Sequence, residues 1–288
     1  QIDGLKVAVL GSSDPDYDLF RNIQLTSVQL PEGLEHLGRA CFSGQKSLTE
    51  VVIPDSVTTI FYYVFSGCTG LKSVTLPETL TVIEDFAFRG CTSLETVELP
   101  ESLEFIGQMA FENCTGLKEM TIPCGISFRA FHGCTGLEKV TIGGNVGLLA
   151  FDGCTNLTDV TLTDSVTGLG EAAFANTGLT SIFIPASVTK MDYECVGYTA
   201  DVSETGWINR TDKVPNFIIY GYAGTEAEEY ARFHRFPFVP EGQFAPTEGD
   251  FGEDAHWRFD PDTGKLSMWG YGHAYEYSHG EQPWFNLG

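Results

Sequence analysis

The sequence predicts an α/β solenoid of eight stacked coils, with a cap at each end and a small all-β module after the second cap. Aligning the 288 residues on the phrase Leu-x-x-Val-x-Ile/Leu gives eight copies, at strides of 20 to 23 residues. A unit of that size cannot bury an apolar face alone, so each copy must stack on its neighbours. The copies begin at Leu25, Leu48, Leu71, Leu94, Leu117, Leu137, Leu157 and Leu179.

One copy shows the expected course of a coil. Leu71-Lys72-Ser73-Val74-Thr75-Leu76 reads as a short strand, and Pro77 ends it because proline has no N–H to donate to a ladder. The chain then returns along the outer side, where Phe88 is expected to fill the interior and Gly90 to permit the tight turn into the next strand.

Cysteine recurs in one column of the repeat, although eight cysteines would otherwise suggest a disulfide framework. Coils about 4.8 Å apart carry parallel Cβ vectors, which do not suit the torsion near 90° of a disulfide. We therefore expect buried, reduced thiols, with Cys41 and Cys195 as fillers of the neighbouring alanine column and Cys124 as a partly exposed thiol. The column holds Cys68, Cys91, Cys114, Cys134 and Cys154.

The outer return segment carries a second apolar column. It consists of Ala40, Tyr63, Phe86 and Met109. Two interpretations are open, partial burial against the next coil or, together with Phe61 and Tyr62, an exposed apolar stripe.

Charge and composition exclude several classes of partner. The formal net charge is −23, from 39 acidic and 16 basic residues. Such a chain lacks the clustered Lys and Arg that nucleic acid and anionic membrane surfaces require. No run of 18 apolar residues is present, so no membrane insertion is expected. The last residues, 284–288, are expected to be a cut inside a longer protein.

Motifs that carry chemistry are absent from the sequence. Gly-x-Ser-x-Gly, His-Glu-x-x-His and Cys-x-x-Cys do not occur. We therefore expect no enzyme, no catalytic residue, no metal and no cofactor, with His36 and His132 at the surface. Asp14, Asp16 and Asp18 have the alternate spacing of a calcium loop, but its glycine and closing glutamate are replaced, and the question stays open.

The third and fifth positions of each predicted strand point to the concave face of the solenoid. Two interpretations are open there as well, a polar, mildly acidic recognition surface or a solvated sheet in which Thr serves β propensity. As ligand-binding candidates we select Glu50, Val52, Ser73, Thr75, Thr96, Glu98, Glu119, Thr121, Lys139, Thr141, Asp159, Thr161 and Phe183.

The chain divides into four segments. Residues 1–24 are an N-terminal cap with a strand at 5–11, and residues 25–198 hold the repeats. Residues 199–240 combine an insertion, in which Trp207 and Arg210 are either binding points or part of an ordinary capping excursion, with a strand-helix-strand closing cap. Residues 241–288 are a small β module, expected to be truncated.

Two patterns define the elements near the C-terminus. In the closing cap, Thr225 and Glu228 form a capping-box pattern, and one helical face carries Ala227, Tyr230, Ala231 and His234. In the last segment, a turn at 260–264 predicts a hairpin, with Trp257 and Phe259 on one strand and Leu266 and Met268 on the other.

The phrase GCTGLKSVTLPETLTVIEDFAF, residues 67–88, closely resembles the BspA-like, treponemal-type leucine-rich repeat. The resemblance covers about 25–198 and implies an α/β leucine-rich-repeat solenoid with a strand-lined concave face and a mostly irregular or short-helical convex face. It also implies a bacterial surface or secreted protein of a family implicated in adhesion, with no shared binding residue. The last segment is similar to the β module that flanks such repeats in surface proteins of gut Gram-positive bacteria.

Two functions follow from the pattern and the resemblance together. The first is a non-catalytic, extracellular or surface-attached binding protein that contacts host or microbial proteins or glycans through the concave face. The alternative is a structural spacer within a larger surface protein.

Overall fold

Stacked coils form a solenoid, as the repeat predicts, with about nine turns where the sequence predicts eight coils. The structure is a computed structural model that describes residues 9–10, 20, 23–203, 206–241, 248–250, 255–260 and 265–270. The predicted fold class is confirmed. The outer side consists of turns, and the single helix of the described residues lies in the closing cap.

The strands of the repeat phrase form a parallel sheet, here called the principal sheet. Apolar positions of these strands face the core, while the residues between them face solvent. The sheet has two interruptions, so its strands fall into three groups. They are Glu50–Val52, Ser73–Thr75 and Thr96–Val97; Glu119–Ile122, Lys139–Ile142 and Asp159–Leu162; and Ser181–Ile184, Ile218–Gly221 and Phe238–Pro240.

A second parallel sheet, which the sequence did not predict, runs along the return segments. Each coil contributes only two residues, and single bridges at Val146 connect its two parts. Its first strand pairs with His36–Leu37, so the strand predicted near the N-terminus is confirmed at Val9–Leu10. The strands are Val9–Leu10, His36–Leu37, Thr59–Ile60, Val82–Ile83, Phe105–Ile106, Gly125–Ile126, Gly168–Leu169 and Lys190–Met191.

The turns on the outer side are linked from coil to coil by backbone hydrogen bonds. Phe88 N donates to Ala110 O at 2.7 Å, and Gly90 N donates to Glu112 O at 2.7 Å. Gly90 has a φ of 72°, which confirms the left-handed turn expected there.

One column of these turns holds non-glycine residues in the left-handed region, with φ between 49 and 61°. Each one, from Ala40 to Ala172, donates its backbone N–H to a carbonyl of the following coil, so stacking imposes a conformation that L-residues disfavour. The column consists of Ala40, Tyr63, Phe86, Met109, Arg129, Leu149, Ala172 and Glu194.

Partial burial, the first of the two interpretations of the outer apolar column, is what the structure shows. Ala40, Tyr63, Phe86 and Met109 are all half-buried. Tyr63 and Phe86 stack with their ring centroids 4.7 Å apart, which covers one face of each ring.

Phenylalanine fills the centre of the first seven repeats in one continuous stack, and Val196 takes this position in the eighth. Phe111 is fully buried, and its ring lies 5.1 Å from those of both Phe88 and Phe131. The stack extends from Phe20 to Phe174, with interplanar angles of 12° or less. The prediction that Phe88 fills the interior is confirmed.

The cysteine column lies beside the phenylalanine stack, and all eight cysteines are free and buried, as expected for seven of them. Each thiol of the column donates to the carbonyl of a phenylalanine in the preceding coil, as Cys114 Sγ does to Phe88 O at 3.1 Å. The column is therefore hydrogen-bonded as well as apolar. The expectation for Cys124 was wrong, because its side chain is packed into the core and only 6% exposed.

The insertion forms an antiparallel pair of strands, Tyr198–Val202 and Ile208–Lys213, here called the insertion hairpin. Trp207, near its tip, is 76% exposed. The chain then rejoins the principal sheet at Ile218–Gly221.

The closing cap has the predicted strand-helix-strand order, with the helix at Glu226–His234. The predicted apolar face is confirmed, since Ala227, Tyr230, Ala231 and His234 are buried. The prediction of a capping box was wrong in detail. Thr225 is the N-cap without a side-chain capping bond, and Glu228 accepts from Gly224 N at 2.7 Å.

The last segment contains three antiparallel strands, Glu248–Asp250, Ala255–Asp260 and Lys265–Gly270. Trp257 pairs with Met268 and Phe259 with Leu266, which confirms the predicted hairpin register. Asp14, Asp16 and Asp18 lie outside the described residues.

Candidate functional site

The predicted binding residues lie on the solvent side of the principal sheet, here called the principal face. Ser73 and Thr141 are half-buried, and the others are exposed. Val52 and Phe183 are the apolar members, with 63% and 37% of their surface exposed.

Strand register places these residues in rows. Glu119, Lys139 and Asp159 are register partners in successive coils, and the Lys139 ammonium lies 3.2 Å from the Asp159 carboxylate. Thr121 and Thr141 stand beside each other in the neighbouring row. The face therefore offers alternating charges in one row and hydroxyls in the next.

The first interruption of the principal sheet coincides with two shallow depressions. One, of about 300 Å³, is bordered by Glu98, Glu101, Glu119 and Lys139. The other, of about 410 Å³, adjoins it on the side of Ser73. Three carboxylates against one ammonium make this the acidic part of the face, which favours a basic or hydroxyl-rich ligand.

Two groups at this face were missed by sequence reasoning. The first is an acidic border, formed by the exposed residue that follows the strand-ending proline in four coils. Its signal was readable, because Pro-Glu or Pro-Asp recurs at the stride of the repeat. The border consists of Glu32, Asp55, Glu78 and Glu101.

The second missed group is Tyr220 and Tyr222, which add to the predicted Phe183 at the C-terminal end of the face. Phe183 is the register partner of Tyr220, and its ring meets Tyr222 edge-on at 5.7 Å. A hydrogen bond to Glu241 raises the pKa of Tyr222. The insertion hairpin separates these residues in sequence, so the repeat period could not align them.

The buried thiols do not supply a nucleophile. Burial raises the pKa of Cys124 and Cys195 to about 12, and it raises the pKa of Cys68, Cys114 and Cys154 as well. A cysteine nucleophile needs a lowered pKa and access to substrate.

Within the described part of the chain, no three His, Cys, Asp or Glu side chains are placed to hold a metal ion. None of the helices in that part has the length and apolar character needed to cross a bilayer.

Comparison with known proteins identifies the repeat. Residues 16–138 and 82–203 match the BspA type leucine rich repeat region, in six copies. The chain belongs to this family of leucine-rich-repeat proteins. No protein of curated function matches it.

The solved structures similar to this chain include three bacterial leucine-rich-repeat proteins. A leucine-rich-repeat protein of T. pallidum is 31% identical, with a TM-score of 0.48, and the match covers 52% of this chain and 76% of that one. A leucine rich cell surface protein of Faecalibacterium prausnitzii is 32% identical, with a TM-score of 0.45 and coverages of 55% and 52%. A leucine-rich-repeat protein of Bacteroides ovatus is 26% identical, with a TM-score of 0.49 and coverages of 77% and 67%. This chain thus spans about half of the second protein and about three quarters of the first.

Proposed function

We propose that this chain is a non-catalytic binding protein, secreted or attached to a bacterial cell surface, that contacts host or microbial proteins or glycans through the principal face. One observation carries the proposal. The side chains of this face project from a rigid sheet and are exposed, so the core does not require their identity. The similar F. prausnitzii protein is described as a cell surface protein, which supports the location.

The composition of the face narrows the class of ligand. Its acidic part, around Glu98 and Glu119, favours a basic or neutral polar partner and repels nucleic acid. The aromatic end, at Phe183 and Tyr222, adds the kind of residue that concentrates binding energy at interfaces. We therefore infer one extended site, with polar contacts along the coils and an aromatic anchor at the end.

The test is a binding screen against immobilised matrix proteins, mucins and a glycan array at physiological salt. The variant Glu98→Lys/Glu119→Lys should weaken a saturable interaction by about tenfold or more, because it reverses two charges within the contact. Glu35→Lys/Glu104→Lys is the matched control. It changes the net charge equally, at exposed positions just before second-sheet strands.

Each outcome of the screen decides between the two functions. Binding that only the first variant loses supports recognition through the principal face. An equal loss of binding in both variants would mean that net charge alone accounts for the effect, which contradicts the proposed site. Saturable binding to nothing in the panel favours the spacer function.

A further inference from the structure

A polar cleft of about 710 Å³ lies away from the principal face, between the insertion hairpin and the outer turns of the middle coils. Its floor is formed by the residues that follow four phenylalanines of the stack, Phe88, Phe111, Phe131 and Phe151, and its wall is formed by the hairpin segment 200–203. In four successive coils the floor residues are Arg89, Glu112, His132 and Asp152.

The floor is organised as two pairs, in each of which a buried carboxylate holds a more accessible group, the Arg89 guanidinium or the half-buried His132 imidazole. The Arg89 guanidinium contacts Glu112, and their side chains are 47% and 8% exposed. His132 Nδ1 lies 3.1 Å from Asp152 Oδ2, and these side chains are 26% and 3% exposed. Because His132 uses Nδ1 in this way, Nε2 is the ring nitrogen left for the cleft.

Stacking of the coils does not require these charges. The same column holds Ser43 and Ser66 in the first coils and Ala175 in the seventh copy. Burying a carboxylate costs several kcal/mol before its partner compensates, so charged residues are an expensive way to fill this position. They occur only in coils that border the cleft.

The hairpin is attached directly by two other side chains, those of Arg129 and Asn176. Arg129 donates to Ser203 O at 3.0 Å. Asn176 both donates to Ala200 O, at 2.8 Å, and accepts from Ala200 N, at 3.1 Å. Asn176 also donates to Asp152 Oδ1 at 2.8 Å, so Asp152 supports this attachment, while Arg89 and His132 line the cleft.

We propose that this cleft binds a linear oligosaccharide. The accessible groups are the donors of Arg89, the Nε2 atom of His132 and the exposed carboxylate of Asp201 on the wall. Sugar hydroxyls both donate and accept, so they match donors on the floor that lie beside a carboxylate acceptor on the wall. The volume falls within the range of small-molecule sites, roughly 300 to 1,000 Å³.

The spacing of the floor also fits this class of ligand. The phenylalanines just before the four floor residues follow one another at 5.1 to 5.3 Å, so each floor residue is one such step from the next. That step is comparable to the length of one pyranose unit in a linear chain. An extended peptide adding to the hairpin edge would need Ala200 N and O, and both already bond to Asn176.

The experiment titrates the full chain, by calorimetry, with linear tetrasaccharides of β-linked glucose, β-linked N-acetylglucosamine and galacturonic acid. Arg89→Ser/Glu112→Ser copies the serines that this column carries at Ser43 and Ser66, so no buried carboxylate loses its partner. This variant should bind about tenfold to a hundredfold more weakly, as expected for lost charge-assisted hydrogen bonds.

Asp201→Ala gives a second test at an exposed position, should the double variant unfold. It should weaken binding of the same tetrasaccharide severalfold. Glu98→Lys/Glu119→Lys should leave that binding unchanged, which separates the cleft from the principal face. Saturable binding with this pattern supports the proposal. The absence of binding by all three tetrasaccharides, unchanged binding in the cleft variants, or loss in the principal-face variant overturns it.

Discussion

The phenylalanine stack permits a quantitative test of what holds the coils together. Phe111 stacks on both sides, on Phe88 and Phe131, with each pair of ring centroids 5.1 Å apart. Phe174, at the end of the stack, has one such partner, Phe151, at 5.3 Å. Both rings are 1% exposed or less, so the two sites differ in stacking and not in burial.

Replacing either ring by leucine removes aromatic contacts and keeps an apolar filler. An aromatic pair contributes about 0.5–1.5 kcal/mol beyond the area it buries. Phe111→Leu loses two such pairs and Phe174→Leu loses one. Provided that the loss of area is similar at both sites, Phe111→Leu should lower the free energy of unfolding by about 0.5–1.5 kcal/mol more than Phe174→Leu.

Equilibrium unfolding in urea, followed by far-ultraviolet circular dichroism, measures both variants against the parent chain. The comparison is valid if the slope of free energy against urea stays constant, because a changed slope indicates that a different set of coils unfolds. Equal losses in the two variants would refute the reasoning. The rings would then act as volume alone, and the near-parallel geometry would be a result of stacking and not a source of stability.

Two further predictions concern the outer turns and the closing cap. Ala40→Gly should stabilise the chain by up to about 1 kcal/mol, because Ala40 is held at a φ of 55°. The control Ala186→Gly, at an exposed position without positive φ, should be neutral or destabilising. Thermal unfolding measures both variants, and a loss of stability in Ala40→Gly would contradict the proposed backbone strain. Burial lowers the pKa of His234; the charge of Glu194 opposes this shift and the charge of Lys213 adds to it. Below about pH 6.5 the unfolded chain therefore binds more protons than the folded chain, and the folded chain loses stability as the pH drops through that window. His234→Gln should remove that part of the pH dependence, and an identical pH profile of urea midpoints would show that His234 does not contribute.

The sequence predicted the parts of the fold that recur in every coil. Strand, phenylalanine and thiol positions depend on contacts between equivalent residues of adjacent coils, so a 20- to 23-residue stride reveals them directly. The second sheet escaped prediction because two residues per coil, such as Val82–Ile83, carry no readable alternation. The left-handed column escaped for another reason. Its members include Tyr63, Arg129 and Glu194, and nothing in those residue types indicates positive φ.

The two candidate sites also differ in how far they could be predicted from the sequence. The principal face could be predicted as a set of exposed positions, because alternation along a strand determines which side chains point outward. The cleft could not, since it depends on pairs distant in the chain, such as Arg129 and Ser203, which are 74 residues apart. An insertion breaks the period, and the period contains no information about where the inserted segment folds back.

Residues whose identity is not required for stacking can be selected for binding. In two columns of this chain, the residue type changes where another element approaches. The column after phenylalanine changes from Ser43 and Ser66 to charged residues at the coils that border the insertion hairpin. The fifth strand position, threonine in the three preceding coils, changes from Thr161 to Phe183, whose strand pairs with a strand of the closing cap. A spacer needs no such coincidence, because its coils must only stack. The two departures from the repeat therefore favour recognition over spacing, at two separate surfaces of one solenoid.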